Sequence, residues 1–491
     1  FVKWSMLKEP GAHQHALEMV TLESLVPADH LLRRIDAFID FEFIRDKVRH
    51  LYCIDNGRPA TDPVVLFKLL FIGYLYGIRS ERQLVKEVEV NVAYRWFLGF
   101  SLTDKIPDAS TISQNRRRRF VGTPIYQEIF DHIVEQAQDA GMVTGRVLYT
   151  DSTHLKASAN KNKFDAKEVE VAPKPYLEAL DAAVDEDREA HGKKPLKAKD
   201  KEPKTKATKV SRTDQDAGYM VRDGKPKGFF YLDHRTVDGA HNIITDTHAT
   251  PGNAHDTRPY LERLDRQRQR FGFDIEAVGL DAGYNSAAIC QGLEERDIYA
   301  VIGYRRPNHK KGYFYKREYV YDAEADVYIC PAEQRITYST TNRIGYREYK
   351  SDPKVCMGCP LLMQCTRSKN HIKVLTRHVW QDSKDRVDAH RKTPAGYKIY
   401  ARRKQTVERS FADGKQLHGH RYARLRGLDK VQEQCLLSAA CQNMKKIAMH
   451  KARKAFLSLI DWFSPVVRRH KTLNPRRLSF AQRYRPVPLA A

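Results

Sequence analysis

The sequence predicts an α/β protein with a mixed-sheet core, a helical region before the core and a β-rich insertion within it. Two apolar runs, VLYTDS and AVGLDA, are typical of strands that end at an aspartate. Two β-rich runs, GFFYLDHRTVD and HNIITDTHATPGN, lie between them and predict adjacent antiparallel strands. Residues before 140 show helical spacing of apolar side chains, and strand-like segments with four cysteines interrupt the later part of the chain.

A basic helix is predicted near the end of the N-terminal region. In IPDASTISQNRRRRF, Asp108 or Ser110 could cap a helix that follows a short turn. Such a helix resembles the second helix of a helix-turn-helix unit, and an ordinary solvated helix is the alternative. Because the net charge favours a polyanionic partner, we predict that this helix contacts DNA. The predicted contact residues are Arg116, Arg117, Arg118 and Arg119.

The charge balance indicates which classes of partner this chain can bind. There are 85 Lys and Arg residues against 61 Asp and Glu, a net charge of +24, and the basic residues are spread along the whole length. That distribution suits a long nucleic-acid track better than one membrane-facing patch. The longest apolar stretch, Val64–Ile78, contains Lys68 and is too short to span a bilayer comfortably. We therefore expect a cytoplasmic protein, associated with the nucleoid when it acts and without a membrane partner.

Three acids could form a metal site. Asp151 and Asp281 each follow an apolar strand, although an aspartate in that position can also simply form a turn. Glu408 lies in a helix-compatible run, and Lys415 follows seven residues later on nearly the same face. Carboxylates are the ligands that Mg²⁺ prefers, and three of them could hold two cations for displacement at phosphorus. Lys415 could then bind a phosphate of the same strand.

The segments that carry these residues resemble bacterial insertion-sequence transposases of the DDE type, in the group whose ribonuclease-H-like core is interrupted before the catalytic glutamate. The resembling segments are ATDPVVLFKLLFIGYLYGIRSERQL, DASTIS, YTDSTHLKASANK, SRTDQDAGYM, YLDHRTVDGAHNIITDTHATPGNAHD, GLDAGYNS and TVERSFADGKQLHGHRYARLRGL. The resemblance implies that Asp151, Asp281 and Glu408 bind two Mg²⁺ or Mn²⁺ ions and that Lys415 contacts DNA. It also implies a homodimer on double-stranded DNA, at the terminal inverted repeats and the target.

The sequence departs from this family just before the glutamate. The family often places a Tyr and an Arg at positions that fall here on Ala401 and Lys404, whereas Tyr400 and Arg403 lie one residue away. Either the spacing of these two residues before the glutamate varies, or Tyr400 and Arg403 do not have the roles of the family's Tyr and Arg. Arg403 is kept as a candidate for phosphate contact.

A cysteine cluster lies between Asp281 and Glu408. Four thiols that include a C-x-x-C pair could supply a closed tetrahedral site for structural zinc, and a disulfide pair is the alternative. The four residues are Cys330, Cys356, Cys359 and Cys365.

The domain organisation follows from these segments. We expect a helical DNA-binding domain over residues 1–140 and the first part of the catalytic core over 145–302, in which the charged residues 165–228 form a flexible excursion. The insertion subdomain is expected over 303–395, the core helices with Glu408 over 396–450 and a basic tail over 451–491. The function predicted is metal-dependent cleavage at element ends and strand transfer. The alternatives are a DNA-binding protein without catalysis and a nuclease without strand transfer.

Overall fold

The computed structural model describes residues 17–53, 55, 60–170, 176–197, 205–221, 226–306 and 309–473. Its N-terminal part is helical, and a π-helical turn at residues 115–119 follows the seventh helix. The helices are α1 (Leu22–Leu25), α2 (Leu31–Phe38), α3 (Phe43–Val48), α4 (Pro63–Leu75), α5 (Glu81–Val90), α6 (Val92–Leu98), α7 (Ala109–Gln114) and α8 (Ile125–Asp139).

Helix α4 shows how this region is built. Asp62 accepts a hydrogen bond from the amide of Val64, and Pro63 occupies the first turn, where its missing N–H costs nothing. Apart from Lys68 the helix is almost entirely apolar, and most of its residues are therefore buried. Its neighbours are the other N-terminal helices and the long C-terminal helix described below.

The next part of the chain builds the central sheet, the separate strand pair β2–β3 and three helices. These elements are β1 (Val147–Lys156), β2 (Phe164–Glu170), α9 (Leu177–Ala190), β3 (Thr205–Ser211), β4 (Gly218–Met220), β5 (Gly228–Asp238), β6 (Ile244–Pro251), α10 (Tyr260–Phe271), β7 (Ala277–Leu280), α11 (Ala287–Glu294) and β8 (Tyr299–Ile302). In the sheet, β1 pairs antiparallel with β5, which pairs antiparallel with β4 and β6, whereas β1, β7 and β8 run parallel. The antiparallel pair β5–β6 and the mixed sheet were both expected from the sequence.

The flexible excursion predicted over 165–228 is wrong for the residues that the structure describes. Strands β2 and β3 pair in register along their whole length, and α9 buries Leu180 and Val184. A two-stranded ribbon can be almost entirely polar because its backbone groups satisfy each other, so the low apolar content misled the prediction. Residues 171–175, 198–204 and 222–225 lie outside the described residues.

The insertion contains a second sheet, and the chain then returns to the core through helices. The elements are β9 (Val320–Asp322), β10 (Val327–Ile329), β11 (Arg335–Thr341), β12 (Tyr346–Lys350), α12 (Pro353–Met357), α13 (Leu362–Cys365), β13 (Val374–His378), α14 (Gln381–His390), α15 (Pro394–Arg402), α16 (Val407–Leu417) and α17 (Leu428–Leu473). The five strands of this sheet follow one another as antiparallel neighbours in chain order. Helix α9 packs against β11, and the Asp187 carboxylate pairs with Arg347 of β12.

Helix α17 joins the N-terminal helices to the sheet. It packs against α2, α4, α8 and β6, and one hydrophobic cluster includes Phe67 and Phe130 of the N-terminal helices, Val237 of β5 and Leu436 of α17. The N-terminal helices therefore share a core with the sheet. The predicted tail at 451–491 needs correction, because α17 continues to Leu473, while residues 474–491 lie outside the described residues. Among the described residues, no helix combines the length and apolar content needed to cross a bilayer.

Candidate active site

Two of the predicted acids lie side by side at the middle of the sheet. Strands β1 and β7 pair with Thr150 opposite Leu280, so Asp151 and Asp281 are the next residues of neighbouring parallel strands. Adjacent strands are about 4.8 Å apart, and residues at the same level point to the same face. Strand β7 ends at Leu280, but β1 continues to Lys156, so the prediction that a strand ends at Asp151 is wrong. The pairing with β5 extends β1 beyond the end of its parallel neighbour.

The environment of Asp151 disfavours the ionised form of its carboxyl group. Burial raises the pKa of Asp151 to about 6, the guanidinium of Arg403 acts in the opposite direction, and the nearby carboxylate of Asp281 adds to the rise. The Ser152 amide donates a 2.8 Å hydrogen bond to Asp151 Oδ1. At Asp281, the amide of Gly283 donates a 2.8 Å hydrogen bond to Oδ1. Two crowded carboxylates repel each other, and a divalent cation bound between them would relieve this repulsion.

Glu408 is connected to these acids through Arg403. The Arg403 side chain is 5% exposed, its Nη2 donates a 2.7 Å hydrogen bond to Asp151 Oδ2, and its Nη1 lies 3.6 Å from Glu408 Oε1. Glu408 lies in the first turn of α16, and its side chain is 46% exposed. Asp151 and Asp281 therefore lie next to each other. Glu408 is linked to Asp151 through the guanidinium group of Arg403, which contacts both carboxylates.

A break between two helices explains how Arg403 reaches the site. Helix α15 ends at Arg402, a 3₁₀ turn covers Arg403–Gln405, and α16 begins only at Val407. Between them Thr406 has φ −108° and ψ −96°, outside helical geometry. Spacing along one continuous helix therefore does not apply across this segment. The sequence predicts Arg403 as a phosphate contact, whereas in this structure its buried side chain pairs with Asp151.

For the DNA cleavage that the sequence predicts, we expect Arg403→Met to lower the rate by about 10- to 100-fold, because it removes the group that orients the Asp151 carboxylate. Lys404→Met is the matched control, since Lys404 is the adjacent exposed cation. Single-turnover cleavage at saturating DNA measures the effect. Equal rates for the two variants would contradict this role of Arg403.

A cavity beside the acids contains Lys415 and a fourth acid. Asp151, Asp281, Lys415, His154 and Asp256 all line it. Asp256 Oδ1 accepts a 2.8 Å hydrogen bond from the Ser152 hydroxyl and lies 3.8 Å from His234 Nδ1. Asp256 precedes α10, but that helix begins at Tyr260, after Pro259, too far along the chain for Asp256 to cap it. Its side chain faces the site instead.

A buried ionic network holds α16 against the sheet. The Asp233 carboxylate accepts hydrogen bonds from Arg235 Nε at 2.8 Å, His420 Nε2 at 2.7 Å and Thr247 Oγ1 at 2.6 Å. Arg235 Nη1 in turn donates to Ser410 Oγ of α16 at 3.1 Å. Among the described residues, Asp233, His420 and Cys435 form the one group of three or more potential metal ligands within 4.8 Å of one another. Because Arg235 already supplies the cation, the arrangement fits a structural role.

The four arginines predicted to contact DNA have different environments. Arg116 is a correction to that prediction: it is 7% exposed, forms an ion pair with Glu81, and its Nε lies 3.4 Å from Glu433. The Cζ of Arg119 lies 3.9 Å from the ring centroid of Tyr52. Arg117 and Arg118 are exposed. Of the four, Arg117 and Arg118 are therefore the most accessible to a partner.

The four cysteines of the insertion lie in one region, but they do not converge. Burial raises the pKa of Cys365, and Cys356 and Cys330 are near enough to add to the rise. However, in the part of the chain that the structure describes, no three of these four sulfur atoms lie within 4.8 Å of one another. The Tyr319 hydroxyl contacts Cys365 Sγ at 3.2 Å, and Cys356 Sγ donates to Ser351 Oγ at 3.2 Å. As they are placed in this structure, the four sulfur atoms do not form a closed tetrahedral set.

Two protein families match the chain. Residues 20–118 match the family described as Transposase domain (DUF772), which covers the N-terminal helices through Arg118. Residues 329–448 match the family described as Transposase DDE domain, which covers the cysteine cluster, Glu408 and Lys415. Asp151 and Asp281 lie outside both matches. No curated protein matches the chain.

Solved structures of transposases are also similar to the chain. The piggyBac transposase synaptic complex with hairpin DNA is 11% identical, covers 87% of this chain and 76% of its own, and has a TM-score of 0.37. The Mos1 transposase paired-end complex with left transposon end is 11% identical, covers 50% of this chain and 62% of its own, and has a TM-score of 0.16.

The two family matches support the function of a DNA transposase, an enzyme of DNA cleavage and strand transfer.

Proposed function

We propose that Asp151, Asp281 and Glu408 hold two divalent cations, Mg²⁺ or Mn²⁺, for cleavage at the ends of an insertion sequence and strand transfer into target DNA. The observation that carries this proposal is the register of β1 and β7, which puts Asp151 and Asp281 next to each other. Their oxygen atoms are the donors that Mg²⁺ prefers. The strand order β6–β5–β1–β7–β8 also supports a ribonuclease-H-like core, since it is antiparallel on one side of β1 and parallel on the other.

Each side chain has a separate task in this proposal. When bound, the cations supply Lewis-acid activation of the attacking and leaving oxygens. Asp151 and Asp281 provide carboxylate oxygens from the sheet, and Glu408 provides one from α16. The ammonium group of Lys415 binds a phosphate of the strand that enters the cavity. Arg403 holds the Asp151 carboxylate in place and balances its charge until a cation binds.

The proposed DNA partner is double-stranded, at the terminal inverted repeats and in the target. Two ends must be cut and joined together, which supports a homodimer on DNA. Light scattering of the protein bound to an inverted-repeat duplex is expected to give two chains per complex. A complex that contains one chain and a pair of ends would contradict the proposed homodimer.

Arg117 and Arg118 are the residues of the basic turn that we propose for phosphate contact. We expect the double variant Arg117→Ala with Arg118→Ala to weaken duplex binding and to lower the slope of log K against log salt by about 2. Anisotropy titrations at several salt concentrations measure this slope. An unchanged slope would show that the turn does not face DNA.

Structural zinc in the insertion stays a proposal, supported by the number of thiols and by their common region. The sulfur atoms would have to turn toward one another for an ion to bind them all. Metal analysis of the purified protein is expected to find one zinc ion per chain, and to find none in Cys356→Ser with Cys359→Ser. A zinc-free wild-type protein that is fully folded would end the proposal.

Product analysis tests the proposed function. End-labelled element DNA is incubated with a target plasmid and Mg²⁺, and we expect both nicked ends and ends joined to the plasmid. Glu408→Gln is expected to bind DNA but to give neither product, whereas Glu324→Gln, which changes an exposed glutamate of the insertion, retains both.

The two rival functions correspond to different products. Nicked ends without joined ends would favour a nuclease without strand transfer. Binding by the wild-type protein without any cutting would favour a DNA-binding protein that has lost catalysis.

A further inference from the structure

A cavity of about 690 Å³ lies where the N-terminal helices meet the segment between α16 and α17. We call it the arginine cavity, because four arginines line it: Arg79, Arg82, Arg116 and Arg424. Among the described residues that line it, the one acid is Glu81, which pairs with Arg116. Four guanidinium groups against one carboxylate give the cavity a positive field, which the concave shape concentrates.

Within the described part of the chain, Arg424 has no carboxylate partner. Its Nη2 donates a 3.1 Å hydrogen bond to the Gly73 carbonyl, and its Cζ lies 4.0 Å from the ring centroid of Tyr74. Its Nε is buried and has no hydrogen-bond partner among the described residues. Burial lowers the pKa of Arg424, and the guanidinium groups of Arg116 and Arg79 lower it further. A buried cation without a counter-charge costs free energy, which a bound anion would offset.

Arg116 and the start of α5 add positive charge to the same cavity. Arg116 is buried, and its Nε also lacks a hydrogen-bond partner among the residues that the structure describes, although Glu433 Oε2 lies 3.4 Å away. Helix α5 begins at the cavity, where Ser80 caps it and its first two residues line the wall. The amino-terminal end of a helix carries a partial positive charge. An anion in the cavity would therefore meet two buried guanidinium groups and a helix end.

The size and the remaining wall of the cavity fit a small molecule. Pockets for small ligands have volumes of about 300–1,000 Å³ and combine apolar walls with a few polar groups. The aliphatic side chains of the arginine cavity are Leu70, Ile78, Leu84 and Leu425. Arg79 and Arg82 are exposed, whereas Arg116 is buried. A duplex could therefore contact the exposed arginines from outside, but a small anion could also reach the buried one.

We propose that the arginine cavity binds a phosphate group, with the guanidinium groups of Arg116 and Arg424 as its buried donors. The planar fork of a guanidinium matches the oxygen atoms of a phosphate. The group could belong to a free nucleotide, whose base would lie against the aliphatic wall, or to the DNA backbone. The volume favours the nucleotide. The inference does not rest on the proposed metal site, since its three acids do not line this cavity.

Equilibrium dialysis of the full-length chain with radiolabelled ADP in EDTA tests this inference. We expect one ADP per chain. Arg424→Met is expected to weaken this binding by about 10- to 100-fold, which corresponds to the loss of one charge-assisted hydrogen bond. Arg426→Met is the matched control, because Arg426 is an exposed arginine two residues further on that does not line the cavity. The control should bind ADP like the wild type.

A second variant separates binding from folding. Arg82→Met changes an exposed arginine of the cavity and should leave the unfolding temperature of the ligand-free chain unchanged. It is expected to weaken ADP binding by about 2- to 5-fold, the range for an exposed ion pair. The wild-type unfolding temperature should rise with ADP concentration, because the ligand binds the folded chain only, and the rise should be smaller in Arg82→Met.

Competition with duplex DNA identifies the source of the phosphate. If the phosphate belongs to the DNA backbone, a saturating duplex displaces ADP, and Arg424→Met lowers the slope of log K against log salt for the duplex by about 1. If it belongs to a free nucleotide, ADP stays bound beside the duplex and the slope is unchanged. No ADP binding at millimolar concentration, or equal binding by the wild type and Arg424→Met, would overturn the inference.

Discussion

Asp281→Asn and Asp151→Asn are each expected to lower the rate of end cleavage by about 10³-fold, the upper range for loss of one electrostatic group in an active site. Both substitutions keep the size of the side chain and remove the charge that would hold a cation. DNA binding is expected to stay at the wild-type level, since an acid near DNA does not contribute to affinity. Single-turnover cleavage and anisotropy measure the two effects separately.

Asp139→Asn is the matched control, because it changes an exposed aspartate at the end of α8 in the same way. It should cleave at the wild-type rate. If Asp281→Asn cleaved as fast as this control, the paired acids of β1 and β7 would not be the metal site, and the proposed mechanism would be wrong.

Asp233→Ala is expected to lower the free energy of unfolding by about 3–5 kcal/mol, the largest stability change that we predict. The substitution leaves the guanidinium of Arg235 buried and without the carboxylate that it contacts at 2.8 Å. It also removes the hydrogen-bond acceptor of His420 Nε2. Urea unfolding, followed by tryptophan fluorescence, gives the change.

Two further variants show whether the cause is the unpaired charge. Asp233→Ala combined with Arg235→Met should recover part of the lost stability, because it removes the uncompensated cation. Asp165→Asn breaks an exposed pair with Arg212 and should cost less than about 1 kcal/mol. No recovery in the double variant would mean that packing, rather than charge, explains the loss.

The parts of the site that lie on regular elements could be predicted from the sequence. The apolar runs before Asp151 and Asp281 predict strands with acids at one edge, because buried parallel strands are continuously apolar. The seven-residue spacing of Glu408 and Lys415 predicts one face of a helix, and both residues lie on α16. Whether these residues act as proposed is a matter for the experiments above.

The parts that depend on loops or on tertiary pairing could not be predicted. Asp256 lies in a loop without periodicity, so nothing in its neighbourhood indicates that it faces Ser152. Arg116 belongs to a run of four arginines, and only the packing against Glu81 and Glu433 distinguishes it from the exposed members. The ribbon of β2 and β3 has too few apolar residues to be recognised, because backbone pairing rather than burial of side chains defines it.

Iron-mediated cleavage of the protein backbone tests the central claim most directly. Fe²⁺ replaces Mg²⁺ at the metal site, and ascorbate with peroxide then generates hydroxyl radicals that cut the chain near the bound ion. The account predicts cuts near Asp151, Asp281 and Glu408 that decrease as Mg²⁺ is added. Cuts confined to the surroundings of Asp233 and His420, or cuts that Mg²⁺ does not suppress, would contradict it.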